Sequence, residues 1–542
     1  MAFLRTENKK SGTYLRIVEN RRNEAGKTAQ HTLYNLGRAD HYSPSALRSI
    51  GKRLYELGGG QLTDLMQLDM AEKSRHNYGY PWTIRKLLEQ YGLDALFRRV
   101  GRKHHLGWSV QDAVLLMLCE RLNEPSSKLR SYSHQQEYIG LPPVELHHLY
   151  RSLDYLDKYS DQVQEIIFRQ GRNLFNLQLD VVFYDVTTLY FDSDIEEAEN
   201  LRQKGFGKDG KIGKTQIVFG LLIDAQKQPV GYRIYPGNYF EGHTFRDAVA
   251  DLQKTWTLRR TIIVADRGMA NTKNREAIAQ TPGCEYLMGE KLKSLPQNIK
   301  DHLTHLKNYT GEWQLPDNGQ STEDRKVKYC LTSYQGRTII GTYSLKRAKK
   351  DKTERENKIA KADKMLANPS LIKKKARHYY LKYNGKEQYE LDAEKIKASE
   401  QYDGFLAIAT SDKSLNPTTA LEHYHHLYQI EHVFRTFKSH LEIRPMFHWT
   451  DARIRGHLCL CYIAYALLNR LQRKMGKNKN LMTDRQITDL LDKMQVSLVE
   501  KQGQYYYLRS PTNQDTIKLL KALKLKPMPA MFPSTDLGSY SP

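Results

Sequence analysis

The stretch VVFYDVTTLYF (residues 181–191) decides how the chain reads. Val, Phe, Tyr, Thr and Leu follow one another with no turn residue among them, which is the composition of a buried strand. In its middle stands one carboxylate, Asp185. An unpaired carboxylate is costly to bury and is usually neutralised, paired or bound to a metal. The plain alternative puts Asp185 at a strand edge or facing water, and residues far away along the chain decide between the two.

Downstream, KTQIVFGLLIDAQKQPVGYRIYPGN (residues 214–238) reads as two strands joined at AQKQP. EGHTFRDAVADLQKTW then reads as a helix, TIIVADRG as a short buried strand, TKNREAIAQ as a helix and CEYLMGEK as a strand. Three strands followed by helix, strand, helix and strand make an α/β unit with a mixed sheet. Asp185 falls on the first strand. Asp266, in TIIVADRGM, follows the fourth and precedes a Gly. Loops at the carboxyl ends of strands are where such sheets place their chemistry, although an Asp there also caps the next turn. GFLAIAT (residues 404–410) reads as a further strand or an edge element.

A third carboxylate lies in HHLYQIEHVFRTFKSHLEIRPMFHW (residues 425–449). A helical residue advances about 100°, so seven residues return to within about 20° of the start. Tyr424, Glu431 and Lys438 are therefore expected on one face of one helix, with Leu427 and Arg435 at the intervening turns and Pro445 ending the helical region. Glu431 with Arg435 at i,i+4 is also an ordinary helix ion pair. In company with two strand-borne aspartates it has another use. Three carboxylates around one point would hold two divalent cations about 4 Å apart, the arrangement that activates an attacking oxygen and stabilises a leaving one in phosphodiester chemistry. Magnesium suits such a site, with water and substrate phosphate completing its octahedron. Lys438 and Arg435 would then hold flanking phosphates.

The totals suit that chemistry. The 542 residues carry 84 Lys and Arg against 61 Asp and Glu, a net charge of +23, which favours a polyanionic partner. Residues 345–378 alone hold 13 basic and 4 acidic side chains, an excess of 9, and read as a phosphate-facing surface rather than a merely solvated helix. The five cysteines are scattered and odd in number, which fits a reducing cytosol. Cys459 and Cys461, in LCLCYIAYALL, read as helix core. No signal peptide is visible, and the most apolar run has about half the length of a bilayer span. KDGKIGKT (residues 208–215) lacks the first Gly of a phosphate-binding loop and runs into a strand. The histidines His425, His426 and His432 lack a fourth partner for zinc. Glu442, eleven residues beyond Glu431, points elsewhere around the helix.

FYDVTTLYF, VADRGM and YHHLYQIEHVFRTFKSHLEIRPMFHW together resemble the three active-site blocks of DDE transposases from bacterial insertion sequences. They are similar to the group marked by a Tyr-(2)-Arg-(3)-Glu-(6)-Lys signature. Tyr424, Glu431 and Lys438 match it in spacing, while Leu427 stands where the signature has Arg. The resemblance runs from about residue 177 to 475, with a spacing of 81 residues from Asp185 to Asp266 and 165 from Asp266 to Glu431. The N-terminal TYLRIVENRRNEAGKTAQHTLYNLG, a β-hairpin with Gly26 in its turn, also looks like the opening of many such proteins.

The resemblance implies an α/β, RNase H-like mixed sheet interrupted by an inserted, β-containing basic subdomain. The expected organisation is a hairpin region (1–60), a helical DNA-binding region (61–176), a catalytic core in two parts (177–300 and 403–476) around the insert (301–402), and a C-terminal stretch (477–542) without a role. It implies cleavage at terminal inverted repeats and strand transfer into target DNA. Asp185, Asp266 and Glu431 are the expected catalytic metal ligands for two Mg2+ ions, or Mn2+ in their place. Tyr424, Arg435 and Lys438 are the expected DNA contacts. Double-stranded DNA at element ends and target, a homodimer in the synaptic complex, no membrane and a bacterial cytoplasmic location follow. An RNase H-like nuclease or resolvase that cuts without joining, and an inactive DNA-binding derivative, are the alternatives.

Overall fold

A computed structural model describes residues 2–9, 11–22, 28–59, 71–170, 181–192, 200–206, 212–255, 260–316, 321–368, 380–384, 389–476, 481–501 and 503–542. Gly26, Lys208 and Lys211 of the sequence reading lie outside them. The chain divides into two compact units, one of residues 1–74, 497–508 and 532–534, the other of the remainder.

In the first unit β1 (Ala2–Lys9), β2 (Gly12–Arg22) and β3 (Thr28–Arg38) form an antiparallel sheet in that order. The expected hairpin is thus β2–β3, with β1 added on its free edge. Helix α1 (Pro44–Leu57) follows, with Ser43 Oγ accepting the Ala46 N–H and proline at its first position, where a missing N–H costs nothing. Strand β4 (Ala71–Asn77) belongs to a separate four-stranded sheet completed by C-terminal strands.

The second unit opens with helices between residues 79 and 170. Among them are α2 (Val110–Asn123), capped by Ser109, whose Oγ accepts the Asp112 N–H, and α3 (Leu146–Lys158). The central sheet contains β5 (Val181–Tyr190), β6 (Gln203–Phe206), β7 (Ile212–Asp224), β8 (Pro229–Pro236), β9 (Thr261–Ala265) and β10 (Cys284–Glu290). β7 pairs antiparallel with both β5 and β8, while β5, β9 and β10 run parallel. The spatial order β8-β7-β5-β9-β10 is the RNase H-like arrangement expected from the resemblance.

The sheet does not stop there. β11 (Gly311–Gln314), β12 (Lys326–Tyr334) and β13 (Arg337–Tyr343), all within the stretch read as an insert, extend it to ten strands through β16 (Phe405–Thr410). β16 is therefore no edge element. Its apolar residues pair antiparallel with β10 on one side and β13 on the other. Between β13 and β16 lie helix α4 (Leu345–Ala367) and the small hairpin of β14 (Leu381–Tyr383) and β15 (Tyr389–Leu391).

Each sheet face is covered. On one, Tyr184 of β5 packs edge-on against Phe245 of the helix Glu241–Thr255, in a core that includes Val182, Val186, Ile263 and Met288. On the other, Phe219 meets Phe434 and Phe437. Tyr232 meets Tyr462 of the helix Asp451–Met475 on that same face. That helix is apolar nearly all round, as a fully enclosed helix must be, with Cys459 and Cys461 completely buried. It crosses α3 so closely that a Cβ at Gly456 would stand 2.0 Å from the Leu153 carbonyl oxygen. No described helix is long and apolar enough to cross a membrane.

Candidate active site

Register brings the two aspartates together. Tyr184 of β5 lies beside Ala265 of β9, and Met288 of β10 lies on the other side of Ala265. One residue further on, Asp185, Asp266 and Gly289 form a row across three parallel strands, neighbours in such a sheet being about 4.8 Å apart. β9 ends at Ala265, so Asp266 is the first residue past the strand, at the carboxyl end where the sequence placed it. Alternation along β5 turns Asp185 away from the Tyr184 and Val186 side and onto the face where Phe219 meets Phe434. The apolar strand tolerates its carboxylate because this position is half-buried beside the strand end rather than sealed.

Backbone donors orient both groups. Asp185 Oδ1 accepts the Val186 N–H at 2.7 Å. Asp266 caps the short turn Arg267–Met269, its Oδ1 accepting the N–H groups of Gly268 at 2.8 Å and Met269 at 3.3 Å.

Tyr424 reaches the same row from the far side. Its hydroxyl lies against Gly289, where a Cβ would approach it to 2.5 Å. Burial, and then the charge of Asp266, push the Tyr424 phenol up to about 12. It stays protonated at neutral pH and can donate a hydrogen bond. Gly289 and Arg267 were not singled out from sequence. A glycine inside the apolar strand CEYLMGE is a signal of close approach to the backbone, and it was available.

Glu431 stands apart from the simple helix expected. Tyr424, Glu431 and Lys438 do not ride one continuous helix. The first belongs to Pro417–His425, the second to Tyr428–Arg435, and the third to a π-helical turn, Thr436–His440. Residues 426 and 427 form the intervening turn, with Leu427 heading the second helix, and the regular helix ends ahead of Pro445. Glu431 and Arg435 are exposed, and no ion pair joins them. The i,i+4 pairing weighed from sequence is absent among the described residues. Ile430, Val433 and Phe434 bury the other side of the helix, which packs on the β5 face toward which Asp185 turns.

Among the described residues no three carboxylate, imidazole or thiol groups stand close enough to form a ready-made ion cage. Asp185 and Asp266 nevertheless fit a hard divalent ion. They are oxygen donors side by side with fixed orientation, and magnesium typically binds one or two carboxylates plus water and phosphate rather than an all-protein cage.

Of the basic segment 345–378, residues Leu345–Ala367 fold as α4 while 369–378 lie outside the described residues, and part of the helix's charge is matched by nearby carboxylates. Arg347 pairs with Asp351, Lys350 with Glu354 and Lys352 with Glu356, while buried Arg355 pairs with Asp403 and Glu400. Between this helix and the end of β10 lies a groove of about 900 Å³ whose lining includes Arg267, Lys291, Lys293 and Lys358. Lys293 lies 4.8 Å from the centre of the Tyr402 ring.

Residues 177–467 match the family described as transposase DDE domain, and residues 4–63 match the IS1634 family transposase N-terminal domain. Comparison with curated proteins gave no match. Among solved structures, the chain is similar to a piggyBac transposase synaptic complex with hairpin DNA, at 10% identity and a TM-score of 0.36 over 76% of each chain. It is also similar to a Mos1 transposase paired-end complex with left transposon end, at 12% identity and a TM-score of 0.14. That likeness covers 32% of this chain and 57% of the other.

Proposed function

The chain belongs to the transposase DDE-domain family, and from that premise we propose how its side chains cut and join DNA. It is a transposase, an enzyme that cleaves DNA and transfers strands. In our reading Asp185, Asp266 and Glu431 are the catalytic carboxylates and hold Mg2+, with Mn2+ as a substitute. When bound there, such ions activate the attacking oxygen and neutralise the leaving one.

The chain's own groups do the rest. Asp266, fixed by two backbone N–H groups, and Asp185, held in a strand, present oxygens that need no reorganisation when substrate arrives. The Tyr424 hydroxyl, protonated beside Asp266, donates to a phosphate oxygen or a bound water. Lys438 and Arg435 contact the phosphates flanking the scissile bond. Leu427 supplies no charge to that set, so the phosphate grip rests on Arg435 and Lys438.

The partner is double-stranded DNA, both element ends and target. Pairing two ends calls for a homodimer at work, and the place of action is the bacterial cytoplasm. The helices between residues 79 and 170 and the exposed lysines of α4 supply further cationic surface for DNA. The observation that supports this reading is the pairing of Tyr184 with Ala265 on adjacent parallel strands, which leaves Asp185 and Asp266 each one residue beyond a paired neighbour.

Incubating the full chain with labelled element ends and Mg2+ tests it. Joined products are expected. Nicks without joining would mean a nuclease, and binding without cleavage would mean an inactive derivative.

A further inference from the structure

The π turn Thr436–His440 is held at both ends by side chains with no place in the carboxylate set. At its start, the buried Thr436 hydroxyl donates to Asp484 Oδ2 at 2.8 Å, and Asp484 Oδ1 is itself held by Gln472 Nε2 at 2.8 Å. At its end, Arg121 of α2 donates through Nη1 to the Leu441 carbonyl at 3.0 Å and the Glu442 carbonyl at 3.4 Å. Its Nη2 reaches Ser126 O at 3.5 Å.

Arg121 is 5% exposed, and Leu441 and Ile443 beside it are fully buried. The last carbonyls of a helix have no partner within it, and a cation there meets the negative end of the helix dipole. Glu442 sits at φ +39°, a left-handed conformation that a non-glycine residue keeps only when its surroundings impose it. A buried guanidinium donating to the carbonyls of residues 441 and 442 imposes it here.

The consequence concerns Lys438. A π turn inserts one extra residue and re-aims the side chains it carries, and such turns recur at functional sites. Lys438 lies at its centre, about two turns beyond Glu431. We propose that Arg121 and the Thr436–Asp484 pair form a two-ended clamp that positions Lys438 over the Asp185 face of the sheet. This rests on the reading of Lys438 as a contact to DNA. The clamp residues touch no substrate. They act by fixing the height and rotation of the segment that does.

The test is a double-mutant cycle on the full chain, read as single-turnover cleavage of a labelled element end with DNA affinity and melting temperature measured alongside. Arg121→Lys keeps the charge but loses the fork. Cleavage is expected to fall about tenfold while affinity holds within about twofold, and in a Lys438→Ala background the same change is expected to cost under about twofold, because contacting or coupled residues are non-additive. Thr436→Val, which loosens the other end, is expected to give the same pattern and serves if Arg121→Lys fails to fold. Full additivity of either clamp variant with Lys438→Ala, or cleavage unchanged in the folded variant, overturns the clamp. Lys438→Ala with normal cleavage would instead overturn the reading of Lys438 on which it rests.

Discussion

The Tyr424 hydroxyl occupies the space that a side chain at Gly289 would fill. A Cβ there would come to 2.5 Å of the oxygen, and to 3.0 Å of Arg267 Cβ. Gly289 is next in register to Asp266, so this glycine lets an aromatic hydroxyl sit beside the second carboxylate. Gly289→Ala is expected to push Tyr424 out and reduce cleavage by about tenfold or more, with DNA affinity retained. Adding Tyr424→Phe removes the closest clash and is expected to restore the melting temperature of the single variant toward that of the parent. Thermal melting and single-turnover cleavage of the two variants check both statements.

Asp185→Asn and Asp266→Asn change charge with almost no change in volume. Each is expected to lower cleavage on the order of 10³-fold, a loss typical of removing one preorganised electrostatic group, and to leave end binding intact. Gel-shift and cleavage assays on the same preparations separate the effects. Wild-type cleavage by Asp185→Asn would remove it from the metal set.

Lys438 and Arg435 are expected to contact phosphate, which gives a salt signature. Binding of a DNA end is expected to weaken with salt at a log–log slope of about −0.9 per phosphate neutralised. Lys438→Ala and Arg435→Ala are each expected to make the slope shallower by about 1. An unchanged slope in both would show that neither side chain touches the backbone.

Lys128 is buried beside Arg121, and burial followed by Arg121's charge brings its ammonium down to about 7. Its folded value is thus below the ordinary 10.5, so between pH 7 and 10.5 the unfolded chain binds the extra proton and stability from this group rises with pH. The slope from one such group is at most about 1.4 kcal/mol per pH unit. Urea unfolding at pH 7.5 and 9, wild type against Lys128→Met, is expected to show the difference between the two proteins shifting by up to about 2 kcal/mol over that interval. Parallel pH dependence in both would contradict it.

Much of this was legible in sequence, for physical reasons. The strands around Asp185 and Asp266 are β-branched, apolar and buried on both faces, so local composition and tertiary burial agree. The segment around Glu431 was harder. Residues 424–440 have helical periodicity throughout, yet the chain breaks after His425 and widens to a π turn after Arg435. The causes include contacts from residues far along the chain: Gly289 receives Tyr424, Asp484 holds Thr436, and Arg121 holds the carbonyls after the turn. No window of sequence contains those pairs. GFLAIAT was left between a further strand and an edge element for a similar reason, and β16 is the strand. Its partner β13 lies more than sixty residues upstream, beyond the reach of local pattern.

The most direct test of the three-carboxylate assignment counts bound ions. With a DNA end in place, Mn2+ binding followed by the loss of its free electron-spin-resonance signal is expected to show about two ions per chain. Asp185→Asn, Asp266→Asn and Glu431→Gln are each expected to lose at least one while still holding DNA. Retention of the full number in any one of the three would exclude that residue from the metal site and break the set.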